Sequence, residues 1–96
     1  MAQVVTAYRF SKSFKKEYGK LPKEIQNSFD QKLPIFLQNR SHPSLRVKRI
    51  QGAADRWEGS VSMKYRFTFQ QSGGSVLFRA IGTHDILARE SRKMGE

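Results

Sequence analysis

The sequence contains no cysteine, so it can form no disulfide and offers no thiolate as a nucleophile or metal ligand. It also contains no apolar run near the ~20 residues that a membrane-spanning helix needs, and its first residues show no long apolar segment. These absences exclude a disulfide-stapled scaffold, a thiol enzyme and a membrane-spanning helix. They predict a cytoplasmic protein.

Acidic residues are scarce. The chain has 8 Asp and Glu against 18 Lys and Arg, a formal net charge of +10. Such a charge destabilises a compact chain by self-repulsion unless an anionic partner relieves it. Nucleic acid is the leading class of partner, and an acidic protein or an anionic membrane surface is the competing class.

The length of 96 residues predicts one domain with one modest core, spanning residues 1–96. The last stretch, from about residue 88, is charged and has almost no apolar anchor. We expect it to be a frayed helix or a flexible tail.

The first half of the chain carries apolar residues at helical spacing. A strand over residues 3–10 is predicted, with Val4, Thr6, Tyr8 and Phe10 on one side. It precedes a helix capped by Ser11 or Ser13 and closed by Gly19. A second helix is predicted from Pro22 to about residue 38. Its apolar positions are Ile25, Phe29, Leu33, Phe36 and Leu37. Pro34 cannot donate a backbone hydrogen bond and should kink or end this helix near Leu33.

The second half alternates apolar and polar residues. Leu45 and Val47 predict a short strand, and residues 52–55 a loop. Residues 56–71 form one long bent strand or two, with Met63, Tyr65, Phe67 and Phe69 on one face. Residues 72–74 (SGG) make a hairpin into a last strand over residues 75–81. The fold class is therefore α+β: an N-terminal strand, a helical hairpin, then a three- to four-stranded antiparallel sheet with one face exposed.

Cations crowd the middle of the sequence. Seven lie between residues 40 and 66, against only Asp55 and Glu58: Arg40, Arg46, Lys48, Arg49, Arg56, Lys64 and Arg66. Four of them fall at alternating strand positions and should share a direction: Arg46, Lys48, Lys64 and Arg66. Converging cations repel one another, which favours a phosphate site over a merely solvated face.

Two further groups suit proton transfer. Glu58 lies on the predicted polar face and is either an ion-pair partner of the cations or a partly buried base. His84 ends the last strand beside that face, where a proton donor is useful, whereas His42 sits in a turn and is structural. Two distant histidines without cysteine or an acidic cluster indicate no metal site.

Together these residues suit the cleavage of RNA, which supplies its own nucleophile, the 2′-hydroxyl. Glu58 would take the 2′-hydroxyl proton, and His84 would protonate the departing 5′-oxygen. Arg66, with Arg46 and Lys48, would hold the phosphate. The products would be a 2′,3′-cyclic phosphate and a 5′-hydroxyl, formed without a metal or another cofactor.

The element order and three stretches, HPSLRVKRIQG, WEGSVSMKYRFTF and LFRAIGTHDIL, resemble the RelE/ParE superfamily of toxin–antitoxin toxins over about residues 4–87. The GTH ending and the Tyr65–Arg66 pair are most similar to the YafQ- and RelE-like mRNA interferases. Arg66 and His84 match family positions, Arg46 and Lys48 match loosely, and Glu58 matches least.

The resemblance implies a RelE-like fold and ribosome-dependent cleavage of mRNA, with contacts to ribosomal RNA and neutralisation by a cognate acidic or amphipathic antitoxin. It implies no small-molecule cofactor and no membrane partner. The remaining RNA contacts would come from Arg49, Arg56, Lys64, Arg79, Tyr65 and Trp57. Relatives often carry an aromatic just beyond the His84 position, which is absent here. Either Trp57, Tyr65 or Phe78 would stack on the base, or base recognition would be weaker than in those relatives.

Two other functions fit the same residues. The ParE branch shares the fold and poisons gyrase, although His84 with Arg66 argues against that branch. A non-catalytic RNA-binding module would use only the basic face.

Overall fold

The structure, a computed structural model, describes residues 4–52 and 55–88. Its elements are β1 (Ala7–Phe10), α1 (Lys12–Gly19), α2 (Lys23–Gln38), a 3-10 turn (Pro43–Leu45), β2 (Lys48–Arg49), β3 (Arg56–Ser60), β4 (Tyr65–Ser72) and β5 (Ser75–Thr83). Two residues of the predicted loop at 52–55, and the predicted tail beyond Ala88, lie outside the described residues. None of the described helices is both long and apolar enough to cross a membrane.

The described strands form one sheet in the order β1-β5-β4-β3-β2. Neighbours pair antiparallel from β2 to β5, and β1 lies parallel to β5 at the other edge. The predicted α+β class is confirmed, with the first strand adding a parallel pair. Residues 56–71, for which either one long bent strand or two strands were predicted, contain two strands joined by residues 61–64.

The two helices cover one face of this sheet through buried phenylalanines. The core includes Phe14, Phe29 and Phe36 from the helices, and Phe67, Phe69 and Phe78 from the sheet. Phe36 meets Phe69 edge-on at 5.0 Å between ring centroids, and Phe29 meets Phe67 in the same way at 5.6 Å. Such pairs add to the burial of apolar area. The helical hairpin predicted from the apolar stripes is confirmed.

Ser11 is the cap of α1 and also fastens the helix to the sheet. Its hydroxyl accepts a hydrogen bond from the backbone N–H of Phe14 at 3.0 Å and donates to the carbonyl of Arg79 at 2.9 Å. Thr68 pairs with Ala80 and Phe69 with Phe78, which makes Arg79 the extra residue of a β-bulge. The cap therefore satisfies a helix N–H and a bulge carbonyl together.

Of the two outcomes predicted for Pro34, a kink or an end of the helix near Leu33, the end does not occur, because helix α2 runs through Pro34 to Gln38. Proline removes one backbone hydrogen bond, and its ring crowds the carbonyl four residues earlier. Here Pro34 lies on the exposed side, while Phe29 and Phe36, before and after it, are buried. Their packing holds both parts of the helix on the sheet.

The first strand is shorter than predicted. Strand β1 begins only at Ala7, and the backbone N–H of Val5 bonds to the carbonyl of Leu37 at 2.9 Å. This attachment to the end of α2 turns Val5 into the core and leaves Val4 59% exposed.

Two other strand predictions are also wrong. Leu45 lies in the 3-10 turn, and the next residue, Arg46, has left-handed backbone (φ 49°), so β2 is reduced to two residues. Met63, expected on a strand face, lies in the connection at 61–64 and is 94% exposed. The predicted SGG hairpin is confirmed, with Gly73 at φ 60°.

The sheet face opposite the helices is open only in part: its central residues are buried, whereas Lys48, at the β2 edge, is exposed. Glu58, Thr68 and Ala80 are neighbours across three strands on that face, and all three are buried. Polar residues on this face therefore do not share one solvent-exposed surface.

Candidate active site

The two ends of the sheet differ in what they gather. At the turn end, residues 61–64 join β3 to β4, and β5 finishes at Thr83. At the hairpin end, Gly73 and Gly74 join β4 to β5. Arg66 pairs with Ser60 on one side and Gly82 on the other, and Tyr65 pairs with Thr83. Because strand neighbours lie about 5 Å apart, this register brings the start of β4 beside the end of β5.

Arg66 is held in place by the turn that precedes it. Its Nη1 donates to the carbonyls of Ser62 at 2.6 Å, Tyr65 at 3.0 Å and Met63 at 3.2 Å. Its Nε lies 3.9 Å from Oε1 of Glu58. The guanidinium is therefore fixed before any ligand arrives, and its side chain remains 21% exposed.

Glu58 lies under Arg66 and is 6% exposed. It sits between Lys48 on β2 and Thr68 on β4 in the strand register. The burial that a carboxylate base needs is present, but little of the group meets solvent. Of the two interpretations of Glu58 left open by the sequence, the ion pair is the one that the structure displays.

His84 is exposed and stands directly after β5. Its carbonyl accepts from the backbone N–H of Leu87 at 3.1 Å, and residues 85–88 turn helically. The next apolar residue, Ile86, is buried and packs close to Gly82. The chain thus folds back over the strand partner of Arg66, and the imidazole stays outside the core. Asp85, beside it, is an exposed carboxylate.

The four cations predicted to share one direction on neighbouring strands do not all lie on strands. Lys48 lies opposite Glu58 and Arg66 opposite Ser60, so the side chains of these two cations share the sheet face away from the helices. Arg46 follows the 3-10 turn, and Lys64 lies in the connection at 61–64. The prediction that four cations alternate along strands is wrong for Arg46 and Lys64.

Lys32, on α2, is a cation at the turn end that the sequence interpretation missed. Its Nζ donates to the carbonyls of Ser60 at 3.2 Å and Ser44 at 3.3 Å. Burial lowers the pKa of Lys32 below its ordinary value of 10.5, and repulsion by Arg46 and Arg66 lowers it further. A signal was present: Lys32 falls inside the apolar stripe of α2, three residues after Phe29.

Trp57 and Arg49, both predicted RNA contacts, lie on the helix-covered side of the sheet. Trp57 stacks on Phe69 with 6.5 Å between centroids. The guanidinium of Arg49 lies 5.0 Å from the centre of its ring, and that of Arg40 lies 4.4 Å away. Cation–π contacts within the protein already engage this ring. The structure does not bring Trp57 or Arg49 to the turn end.

Arg56 and Arg79 also lie away from His84. Arg56 pairs with Gln70 in the register at the hairpin end and forms a 2.7 Å ion pair with Asp55. Arg79 is the bulge residue in the middle of β5. Of the three residues proposed for stacking on a base, Phe78 is 0% exposed in the core, so that proposal is wrong. Tyr65, half-buried at the turn end, is the one placed near His84.

Within residues 4–52 and 55–88, no three His, Cys, Asp or Glu side chains are grouped as a metal site. His42 accepts a hydrogen bond at Nδ1 from the backbone N–H of Ser44 at 3.2 Å, capping the 3-10 turn. This contact confirms the structural role predicted for His42.

Comparison with known proteins gives a structural likeness alone. No family model matches the sequence, and no curated protein matches it. The RelB–RelE antitoxin–toxin complex of Methanococcus jannaschii contains a similar chain, with a TM-score of 0.69 and 18% identity over 83% of this chain and 94% of that one.

Two further solved structures agree. YafQ from E. coli has a TM-score of 0.67 and 17% identity over 83% of this chain and 94% of that chain. The RelBE2 toxin–antitoxin complex of Mycobacterium tuberculosis has a TM-score of 0.69 and 14% identity over 84% and 93%. At these identities the likeness concerns the backbone, and it confirms the predicted resemblance at that level: this chain has the RelE/YafQ toxin fold.

Proposed function

We propose that the protein is the toxin of a type II toxin–antitoxin system and acts as an endoribonuclease on mRNA at the ribosome. The fold supports the toxin role, because similar chains were crystallised as toxins with their antitoxins. The observation that carries the nuclease activity is the placement of exposed His84 just beyond Gly82, the strand partner of the fixed Arg66.

The proposed reaction needs only groups of this chain and of the RNA. The 2′-hydroxyl oxygen forms a new bond to the adjacent phosphorus, and the bond from phosphorus to the 5′-oxygen breaks. His84 gives a proton to the leaving 5′-oxygen. Arg66 stabilises the charge that develops on the phosphoryl oxygens, and it is already oriented by the carbonyls of the turn. The products are a 2′,3′-cyclic phosphate and a 5′-hydroxyl.

Glu58 is the proposed acceptor of the 2′-hydroxyl proton, as the carboxylate beside Arg66. Its burial requires the hydroxyl to approach along the Arg66 side chain. The competing candidate for the proton acceptor is Asp85, an exposed carboxylate next to His84. Loss of cleavage in Glu58→Gln, with Asp85→Asn still active, supports Glu58; the reverse result assigns the proton to Asp85.

The proposed partners follow from the charge. A net charge of +10 suits mRNA and ribosomal RNA, and we propose that both contact the turn end in the cytoplasm. A cognate antitoxin that is acidic or amphipathic would cover the same cations and relieve the same repulsion.

Primer extension on a translated message, with and without induction of the protein, tests the proposal. Cuts phased to the reading frame are expected with the natural sequence. His84→Ala should lower the cleavage rate by about 10²–10⁴-fold, the range for losing a positioned general acid, while ribosome binding is retained. His42→Asn is the matched control, because asparagine can keep the cap on the 3-10 turn.

The alternatives have different outcomes. Toxicity that survives His84→Ala, with no phased cuts from either protein, contradicts the nuclease. Gyrase poisoning or simple RNA binding would then explain the growth effect.

A further inference from the structure

Lys32 joins three parts of the molecule at the turn end. It projects from α2, and its ammonium group lies between the carbonyl of Ser60, at the end of β3, and that of Ser44, in the 3-10 turn. Both distances, 3.2 and 3.3 Å, are those of hydrogen bonds. An ammonium group has three N–H donors, so two are directed at the protein.

Two guanidinium groups share this region with Lys32. Arg66 pairs with Ser60 in the strand register and donates to the carbonyl of Ser62, two residues along the chain from the Ser60 carbonyl that binds Lys32. Arg46 follows the 3-10 turn directly and is exposed, with its backbone in the sparsely populated left-handed region at φ 49°. Repulsion from both arginines, after burial, lowers the pKa of Lys32.

A purely structural role does not account for the charge of Lys32. A neutral amide donor can also bond to a backbone carbonyl, and it would not repel the two arginines. The nearby carboxylate, Glu58, lies 3.9 Å from Arg66 and balances one positive charge. Lys32 is repelled by Arg46 and Arg66, and the one carboxylate lies 3.9 Å from Arg66, so an added anion would stabilise this group of cations.

We propose that Lys32, Arg46 and Arg66 together bind a phosphate group of a single-stranded RNA backbone. The remaining ammonium donor and the arginine guanidinium groups supply charge-assisted hydrogen bonds to phosphate oxygens. RNA as the natural ligand rests on the proposed function; the phosphate site rests on the geometry of these three cations. The site adds a residue of α2 to a surface otherwise built from the sheet and its loops.

Binding of a short single-stranded oligodeoxynucleotide tests the site, because this probe lacks the 2′-hydroxyl and cannot undergo the proposed cleavage. The dissociation constant is measured against salt concentration for the natural protein and for Lys32→Gln. Losing one phosphate contact should weaken binding and reduce the slope of log K against log salt by about 0.7. Lys23→Gln, at the exposed start of the same helix, should leave the slope unchanged. An unchanged slope in folded Lys32→Gln overturns the site.

A second measurement uses the natural protein. NMR titration of the lysine side chains, with and without inorganic phosphate, should show the pKa of Lys32 rising on binding, because an anion opposes the repulsion by Arg46 and Arg66. A Lys32 pKa unmoved at saturating phosphate also overturns the site. Arg46→Gln should reduce the salt slope as Lys32→Gln does, and it replaces that variant if Lys32→Gln does not fold.

The two proposals fail separately. If oligodeoxynucleotide binding depends on Lys32 but His84→Ala changes no cleavage, the phosphate site stands and the nuclease falls. If phased cleavage occurs and the salt slope is the same in the natural protein and Lys32→Gln, only the phosphate site is contradicted.

Discussion

At the hairpin end of the sheet, Arg56 pairs with Asp55 at 2.7 Å, and Gln70 donates to the other oxygen of Asp55 at 3.0 Å. At the turn end, Arg66 lies 3.9 Å from Glu58 and directs its Nη1 to backbone carbonyls instead. Lys32 also binds carbonyls there. One end of the sheet pairs its arginine closely with a carboxylate, and the other holds Arg66 and Lys32 mainly on backbone carbonyls, with Glu58 at a longer distance from Arg66.

This difference matters for function more than the number of cations does. A close ion pair has little attraction left for an external anion, whereas cations bound mainly by neutral carbonyls, with a carboxylate only at a longer distance, keep more of that attraction. Both ends are basic in the sequence. The prediction that Arg56 contacts RNA treated the two ends of the sheet alike. In the structure they differ in how closely a carboxylate approaches the arginine.

Replacing one arginine at each end gives the sharpest test of this comparison. Arg66→Gln should lower RNA cleavage by about 10²–10³-fold, the range for removing one donor to a developing oxyanion. Arg56→Gln should leave the rate within about twofold, because Asp55 already neutralises that charge. Cleavage rates are measured on the same translated message.

Arg66 also fastens the connection at 61–64, so urea unfolding of both variants must accompany the rates. Equal losses of cleavage in two folded variants would show that the ends do not differ in function.

An uncharged change tests whether packing at the turn end matters independently of charge. A Cβ added at Gly59 would lie 2.3 Å from Cζ of buried Phe67. Gly59→Ala should therefore lower the free energy of unfolding by about 1–3 kcal/mol, as overpacking does. Gly19→Ala is the control: nothing lies within 4 Å of its Cβ position, and alanine should stabilise the helix by up to about 1 kcal/mol.

Urea unfolding measures both glycine variants. A Gly59→Ala protein as stable as the natural one would mean that Phe67 can shift without cost. The close approach of β3 to this ring would then not constrain the turn end.

The smallest expected effect is a pH dependence from Lys32. Its pKa in the folded protein is lowered below 10.5, so the folded chain loses this proton at lower pH than the unfolded chain. Just below pH 10.5 the unfolded state binds more protons, and the contribution of Lys32 to stability rises with pH. Unfolding free energies of the natural protein should therefore rise relative to Lys32→Gln as the pH approaches that value.

Tyr18 acts in the opposite direction but cancels in this difference. The hydrogen bond from its hydroxyl to Asp30 raises the pKa of Tyr18 from 10.0 to about 12. The stabilisation by this bond is present below pH 10.0 and is lost as the pH rises toward about 12. Identical pH slopes in the natural protein and Lys32→Gln would contradict the lowered pKa of Lys32, whose causes are burial first and then repulsion by Arg46 and Arg66.

Much of the fold was predictable because its signals are local. Ser11 caps α1 through a bond three residues away, and Gly73 supplies the positive φ of the hairpin. Phe67 and Phe69 alternate with Thr68 in a strand, as a period of two requires. The end of α2 predicted at Pro34 does not occur, because the packing of Phe29 and Phe36 on the sheet outweighs the free-energy cost of a proline inside a helix. The local sequence does not show that packing.

The candidate site was less predictable because its members come from distant segments. Arg66 was predicted from the alternation of a strand and His84 from the end of another, and the register brings the two close together. Lys32 was missed because only the packing of α2 on the sheet shows which carbonyls it reaches. Trp57 and Arg49 were predicted to contact RNA. The alternation of a strand shows which residues share a face, but it does not show which face the helices cover.

The sequence by itself determined the net charge, the amphipathic stripes, the caps and the turn residues, since each depends on composition or on neighbours a few positions apart. The tertiary structure decided which arginine has a close carboxylate and which cations are held mainly by backbone carbonyls at the same end of the sheet as His84. That outcome depends on the register of β3, β4 and β5 and on where α2 lies across them. Burial of the shared phenylalanine core sets both, because a slip of one residue would turn those rings out of the core.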